Sequence, residues 1–435
     1  ELWPCSGHRR PGSRTRTLGS RIAAALIAAL LGLLWQGSAP AAITRPAQPR
    51  QPRQPPRVLL ISFDGFRADY FARPAARRIR ALAEVGARAE RMKPVFPTKT
   101  YPNHYSIVTG LLPVHHGIVA NSMHDPAIGE FHTGDDPAVR DGRWWFGEPL
   151  WVTAEKQGVR SASLFWPGSE APIGGVRPHS YSRYDGSVSR AERVRRVLDW
   201  LAMPPDSAPR LITAYFEETD DAGHAFSPGA PQVDSAIAKI DSVVGAIVDG
   251  ISNLGLSDVV NVIFVSDHGM ARSTAQQTIM LDDYVSLDSL VVVDWAPVTA
   301  IFPRAGAEGY VYDRLHGAHP QFSLFRKADM PARFHYDSGA RIAPIIGIAA
   351  EGWMVSTRAR VASAPPRAIG GEHGYDNELP SMQALFVAAG PAFRRGVTIP
   401  VIDNLDIYPL VTRILRLAAA PTDGSITATQ ALLRP

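Results

Sequence analysis

Apolar residues in this chain fall into short unbroken runs, and several of these runs stop abruptly at acidic or histidine-bearing segments. Residues 58–63 (Val58-Leu59-Leu60-Ile61-Ser62-Phe63), 211–216 and 259–265 are apolar at nearly every position. That is the pattern of a strand covered on both faces. Further strands are expected at 87–95, 161–165 and 384–389, and helices at 74–86, 149–158, 188–203, 232–254 and 404–415. The 188–203 helix is amphipathic, with arginines on its outer face. Strands alternating with helices predict an α/β fold with a mainly parallel central sheet and helices on both faces. Residues 280–360 are less regular, with short strands and a helix near 310–315, and are read as a smaller inserted lobe. No internal repeat or heptad pattern is visible.

The strand ends carry the chemistry. The first run ends at Asp64, the second runs into Asp220 and His224, and the third ends at Asp267 and His268. His373 sits on a glycine-flanked segment further on. Open α/β sheets place their sites at such strand ends. Asp220 and His224 can close on one ion if Gly223 lets the chain turn. Asp267 and His268 diverge on an extended strand, but a turn beyond its end brings both to one centre. Each pair alone reads more readily as a loop salt bridge or cap; three such clusters together read as a metal site.

A second stretch is Pro97-Thr98-Lys99-Thr100-Tyr101-Pro102-Asn103-His104. Pro102 reads as the first helical position of a run through Val108. A hydroxyl at a helix entrance faces unpaired N–H groups and the positive end of the helix dipole, a setting that welcomes phosphate. A threonine hydroxyl is a weak nucleophile until a base or metal lowers its pKa, and no base lies beside it in sequence. Taken alone, Thr100 reads as a helix cap. Lys99 is the nearest cation and is read as facing solvent.

Composition narrows the choice. The chain has 435 residues, 45% hydrophobic and 20% charged, enough for one large domain or two ordinary ones. Five arginines against Glu1 within residues 1–42 account for the whole net charge of +4, so the remainder is neutral. A neutral body gives no specific nucleic-acid binding surface. Residues 1–42 have an arginine-rich front, an apolar core over 22–35 and small residues up to Ala42. This is read as a signal peptide, cleaved after Ala42, that directs the protein to a secreted or periplasmic location. The apolar core falls short of the ~20 residues needed to span a bilayer, so no transmembrane domain is expected unless the leader is retained as an anchor. Residues 43–56 form a Pro/Arg-rich linker. The sole cysteine, Cys5, lies in the leader, so a metal must be held by histidine and carboxylate.

The segments Ser62-Phe63-Asp64-Gly65-Phe66-Arg67, 97–104, 220–224, 266–270 (Ser266-Asp267-His268-Gly269-Met270) and 371–377 (Gly371-Glu372-His373-Gly374-Tyr375-Asp376-Asn377) share a family's order. Together they resemble the nucleotide pyrophosphatase/phosphodiesterase family of the alkaline phosphatase superfamily, over roughly residues 57–415. The resemblance implies an alkaline phosphatase-like fold, a catalytic domain at 57–420 and a C-terminal tail at 421–435. It also implies two zinc ions. One would be held by Asp220, His224 and His373, and the other by Asp64, Asp267 and His268, with Thr100 as hydroxyl ligand and nucleophile. Asn121 matches the family's donor to a phosphate oxygen. Tyr101 and Tyr184 match the aromatic walls of a nucleobase pocket, and Trp166, with Phe165, belongs to a family-like Phe-Trp-Pro-Gly-Ser segment.

Two divalent ions ~4 Å apart suit in-line displacement at phosphorus. Attack would give a threonyl-phosphate intermediate, and water would then release nucleoside 5′-monophosphate. Thr98, His316 and His319 match no catalytic role. The alternatives are a lipid- or choline-type phosphodiesterase with the same metal site, or a zinc-stabilised binding protein without catalysis. A sulfatase motif is absent, and no serine nucleophile or arginine clamp of the monoesterase kind accompanies Thr100.

Overall fold

In a computed structural model of the chain, residues 54–134, 136–363 and 369–435 are described. The expected leader, and all of the linker but its last three residues, lie outside them. The strand Arg57–Phe63 is buried at every position and lies inside an eight-stranded sheet. The strand order is Val397–Asp403, Ala87–Lys93, Phe386–Ala389, Val260–Val265, Arg57–Phe63, Leu211–Phe216, Ser161–Leu164 and Ser180–Ser182. Only Phe386–Ala389 runs antiparallel to its neighbours; the other pairings are parallel.

Alternate residues of the central strand feed two cores. Val58 and Leu60 join the one packed by helices Thr100–Thr109, Leu150–Lys156 and Ile407–Leu415. Leu59, Ile61 and Phe63 join the one packed by Arg77–Val85, Arg190–Ala202 and Pro231–Asn253. Burial on both faces is why the strand reads as an unbroken apolar run. Each large aliphatic side chain so buried contributes about 1.5–3 kcal/mol, so the strand ends are held by cores above and below.

The inserted lobe is more regular than its sequence suggests. Leu290–Asp294, Val298–Pro303, Ile345–Ala349 and Phe322–Arg326 form an antiparallel sheet in that order. Helix Glu308–Leu315 closes a separate small core with Ile301, Val311, Leu315, Phe322 and Ile345.

Three features depart from the sequence reading. The helix expected from Pro102 starts at Thr100, so Pro102 is its third residue. Proline fits there because the first turn's N–H groups have no intrahelical partner. Helix Glu218–Phe226 replaces the expected turn around Gly223; its polar, acidic sequence gives no apolar stripe to read. Strand Val397–Asp403 is not signalled by its sequence, which contains Pro400, but it occupies a sheet edge, where proline is tolerated. The C-terminal residues fold back, and Leu432 is fully buried. Among the described residues, no helix is long and apolar enough to cross a membrane.

Candidate metal centre and active site

The three parallel strands Val260–Val265, Arg57–Phe63 and Leu211–Phe216 end side by side. Their adjacency brings Asp64, Asp267 and His268 together, with one ligand atom of each within 4.8 Å of the others. Asp220 and His224 lie one helical turn apart in Glu218–Phe226, with Asp220 Oδ2 3.4 Å from His224 Nε2. Their spacing is met by a regular helix, which corrects the turn expected at Gly223. Gly223 packs closely on Met270 instead: a Cβ there would come within 2.9 Å of its Cε and 3.0 Å of its Cγ. His373 follows strand Ile369–Glu372, which pairs with Ala271–Thr274, and its Nε2 lies 3.7 Å from Asp220 Oδ1.

All three clustered imidazoles are turned the same way. Nδ1 of His224 donates to Gly371 O, that of His268 to Gly269 O and that of His373 to Thr98 O, each at 2.9 Å. A carbonyl only accepts, so Nδ1 carries a proton in each ring, and Nε2 is the nitrogen that faces the cluster and would offer its lone pair to a cation. This is the usual way a second hydrogen bond prepares a metal-binding histidine. The carboxylates fit the same purpose. Asp64 Oδ1, Asp220 Oδ1 and Asp267 Oδ2 are buried without a hydrogen-bond donor. Such oxygens are costly unless a cation faces them. Oxygen and imidazole donors without sulfur suit zinc or a harder divalent ion.

The electrostatics agree. Burial, then Asp267 and Asp220, pushes Asp64 well above the usual carboxylate range. Burial likewise raises Asp220, against the pull of His224 and His268. Asp267 is also desolvated, yet His268 and His104 hold it well below that range. Burial, with His268 and His224 beside it, pushes His373 down. Three carboxylates and four imidazoles thus compete for charge in a largely buried cluster.

Thr100 opens onto this cluster, its Oγ1 3.3 Å from His268 Nε2. A cavity of about 230 Å³ extends from Asp64, Thr100 and Asp220 to Tyr101, Asn121 and Tyr184. Asn121 Oδ1 accepts from the Tyr101 backbone N–H at 3.0 Å, which fixes the amide and leaves Nδ2 as the donor for a ligand. Tyr184 is half exposed and edge-on to Phe165 and Tyr215. Trp166 borders the cavity but is fully buried, and its Nε1 donates to His104 O at 3.2 Å. It offers no face for stacking and braces the helix that carries Thr100. No lysine or arginine is among the described residues lining the cavity.

A model of the type I phosphodiesterase / nucleotide pyrophosphatase family matches residues 58–376. The chain belongs to that family. It is 38% identical over 381 residues to bis(5′-adenosyl)-triphosphatase enpp4 of Xenopus laevis, covering 87% of this chain and 82% of that protein. It is 36% identical over 378 residues to ectonucleotide pyrophosphatase/phosphodiesterase family member 5 of Homo sapiens, covering 87% and 78%. The solved structure of murine ectonucleotide pyrophosphatase/phosphodiesterase 5, an inactive threonine-to-alanine form in complex with AMP, matches with a TM-score of 0.83 at 36% identity. That match covers 87% of this chain and 100% of the other. The fold is therefore alkaline phosphatase-like, and the protein is a hydrolase of the nucleotide pyrophosphatase/phosphodiesterase class.

In this phosphodiesterase several residues act that the sequence reading passed over. Tyr215 donates its hydroxyl to Asp64 Oδ2 at 2.6 Å; inside an apolar strand it reads as core. His104 is buried, with Nδ1 on Thr100 O at 2.9 Å and Nε2 on Ser62 Oγ at 2.8 Å. Glu372 joins His224 and His373 in a further ligand-type group. Thr98 is structural as expected, donating to Tyr375 O and accepting from the Gly374 N–H, both at 3.0 Å. His316 stacks on Tyr312 and His319 leans on Trp353, away from the cluster. Lys99 does not face solvent: it is buried and paired with Asp294.

Proposed function

We propose that this enzyme is an exported two-zinc phosphodiesterase and pyrophosphatase that releases nucleoside 5′-monophosphate through a threonyl-phosphate intermediate. The observation that carries this reading is Thr100 Oγ1 at a helix entrance, 3.3 Å from His268 Nε2, on a cavity shared with Tyr101 and Tyr184. One ion would be held by Asp220, His224 and His373, the other by Asp64, Asp267 and His268 with Thr100. When bound, two such ions supply positive charge at the attacking and leaving oxygens of an in-line displacement.

The chain's own residues do the rest. Thr100 Oγ forms the new bond to phosphorus as the bond to the leaving group breaks, and water then cleaves the threonyl ester. The helix N-terminus and Asn121 Nδ2 face the non-bridging oxygens. Tyr101 and Tyr184 hold a base by stacking, consistent with the AMP in the murine relative's structure. With Asn121 neutral and no lysine or arginine among the described residues lining the cavity, a diester monoanion fits better than a monoester dianion. Export rests on the leader pattern and on the "ecto" names of the relatives.

The test is a substrate panel on zinc-loaded protein. Dinucleotides and nucleoside triphosphates should be cleaved to nucleoside 5′-monophosphate much faster than monoesters or lysophospholipids. A preference for either of the latter overturns the nucleotide assignment.

A further inference from the structure

Lys99 immediately precedes Thr100, yet its side chain runs away from the cavity into the inserted lobe. Its ammonium pairs with the Asp294 carboxylate and reaches Trp295 O at 3.2 Å and Val298 O at 3.4 Å. An ammonium has three N–H donors, and three acceptors face it here. Lys99 is 4% exposed and Asp294 7%, so the pair is cut off from substrate and solvent alike. The lysine stem also passes the histidine loop: a Cβ on Gly374 would come within 3.2 Å of Lys99 Cε and 3.3 Å of Pro297.

The same lobe grips the segment that presents Asn121. Tyr336 donates its hydroxyl to Val119 O at 2.9 Å. Arg341, buried, donates to Gly117 O at 2.8 Å and to Asp125 Oδ2 at 2.7 Å. Phe334 packs on Phe96 with ring centroids 4.2 Å apart. The nucleophile's helix entrance and the oxygen donor's loop are thus both fastened to one body outside the central sheet.

We propose that the inserted lobe fixes Thr100 and Asn121 relative to each other, with the buried Lys99–Asp294 pair as its principal pin. Lys99 is a positioning residue that never meets substrate. This rests on the reading of Thr100 as nucleophile. Misplacement of a reacting group by ~1 Å costs about a hundredfold in rate, so the pin acts on kcat.

The experiment compares Lys99→Met, Asp294→Asn and the double variant Lys99→Met/Asp294→Leu on two substrates, bis(p-nitrophenyl) phosphate and the more highly charged diadenosine triphosphate. Metal content is measured alongside. Each single variant should lose about 10- to 100-fold in kcat, equally on both substrates, with KM nearly unchanged and two ions bound. The double variant should recover much of that loss, because an apolar pair of similar volume replaces a buried ion pair without stranding a charge. If a single variant does not fold, the double variant decides: recovery supports the pin, and a full loss overturns it. A rise in KM confined to the polyanionic substrate would make Lys99 a substrate cation and overturn the proposal, as would wild-type kcat in folded Asp294→Asn. A wild-type protein that cleaves neither substrate would instead sink the functional reading. Faster amide exchange at 100–103 in Asp294→Asn would then still support the pin, and unchanged exchange would overturn it.

Discussion

His268 and His373 lie face to face, their ring centroids 3.6 Å apart and their planes inclined by 13°. Each Nδ1 is tied to a backbone carbonyl, and the Nε2 atoms look toward different carboxylates: His268 toward Asp64 and Asp267, His373 toward Asp220. His268 also falls within 4.8 Å of Asp220 and His373, so the stacked rings link the two proposed ligand sets rather than divide them. The proposed sets are therefore close enough to act on one phosphoryl group.

Metal removal follows directly. Chelation should abolish turnover and lower Tm, and zinc should restore both. An ion present at ~1,000 times its Kd contributes about 4 kcal/mol to stability. His224→Ala should lose the ion of the Asp220 set, and Asp64→Ala that of the other. Elemental analysis finding fewer than two ions in a fully active preparation would refute this arrangement.

Tyr215→Phe removes only the hydroxyl that Asp64 Oδ2 accepts at 2.6 Å. Partners of this kind typically change metal affinity 10- to 100-fold. Titration with a competing chelator should show one ion weakened by about that much and the other unchanged. Wild-type affinity for both ions would show that Tyr215 does not tune the site.

Tyr184→Ala should slow nucleotide substrates and spare p-nitrophenyl diesters that lack a base. Stacking on an aromatic ring contributes ~1–3 kcal/mol per base, and the loss should appear in kcat/KM. Equal losses on both substrate types would mean that Tyr184 supports the fold rather than the base.

Thr98→Ala strips a buried hydroxyl that serves both Tyr375 O and the Gly374 N–H. Leaving those groups unpaired costs about 1–3 kcal/mol, so Tm should fall. The metal-saturated variant should keep kcat within a few-fold, because the carbonyl that orients His373 belongs to the backbone. A collapse of kcat at full metal occupancy would give Thr98 a chemical role.

The strand ends made most of the site legible. Asp64, Asp220 and Asp267 follow runs so apolar that a carboxylate there calls for a reason, and the sheet places those ends side by side. Partners supplied by tertiary neighbours were not legible. Tyr215 meets Asp64 only because Leu211–Phe216 lies beside Arg57–Phe63, with Tyr215 opposite Ser62, and local sequence does not encode that register. Lys99 misled for the same reason, since its partner Asp294 lies 195 positions away in the inserted lobe. Helix Glu218–Phe226 buries only Thr219 and Gly223, so it shows no periodicity although it carries two candidate ligands.

The central claim is that Thr100 is the nucleophile, and the most direct measurement is an acid quench during turnover of a nucleotide diester, followed by mass analysis of the peptide containing Thr100. The account predicts a nucleoside monophosphate esterified to Thr100, with neither adduct nor turnover in Thr100→Ala although two ions remain bound. Near-wild-type hydrolysis by Thr100→Ala, with no adduct on the wild-type peptide, would contradict it.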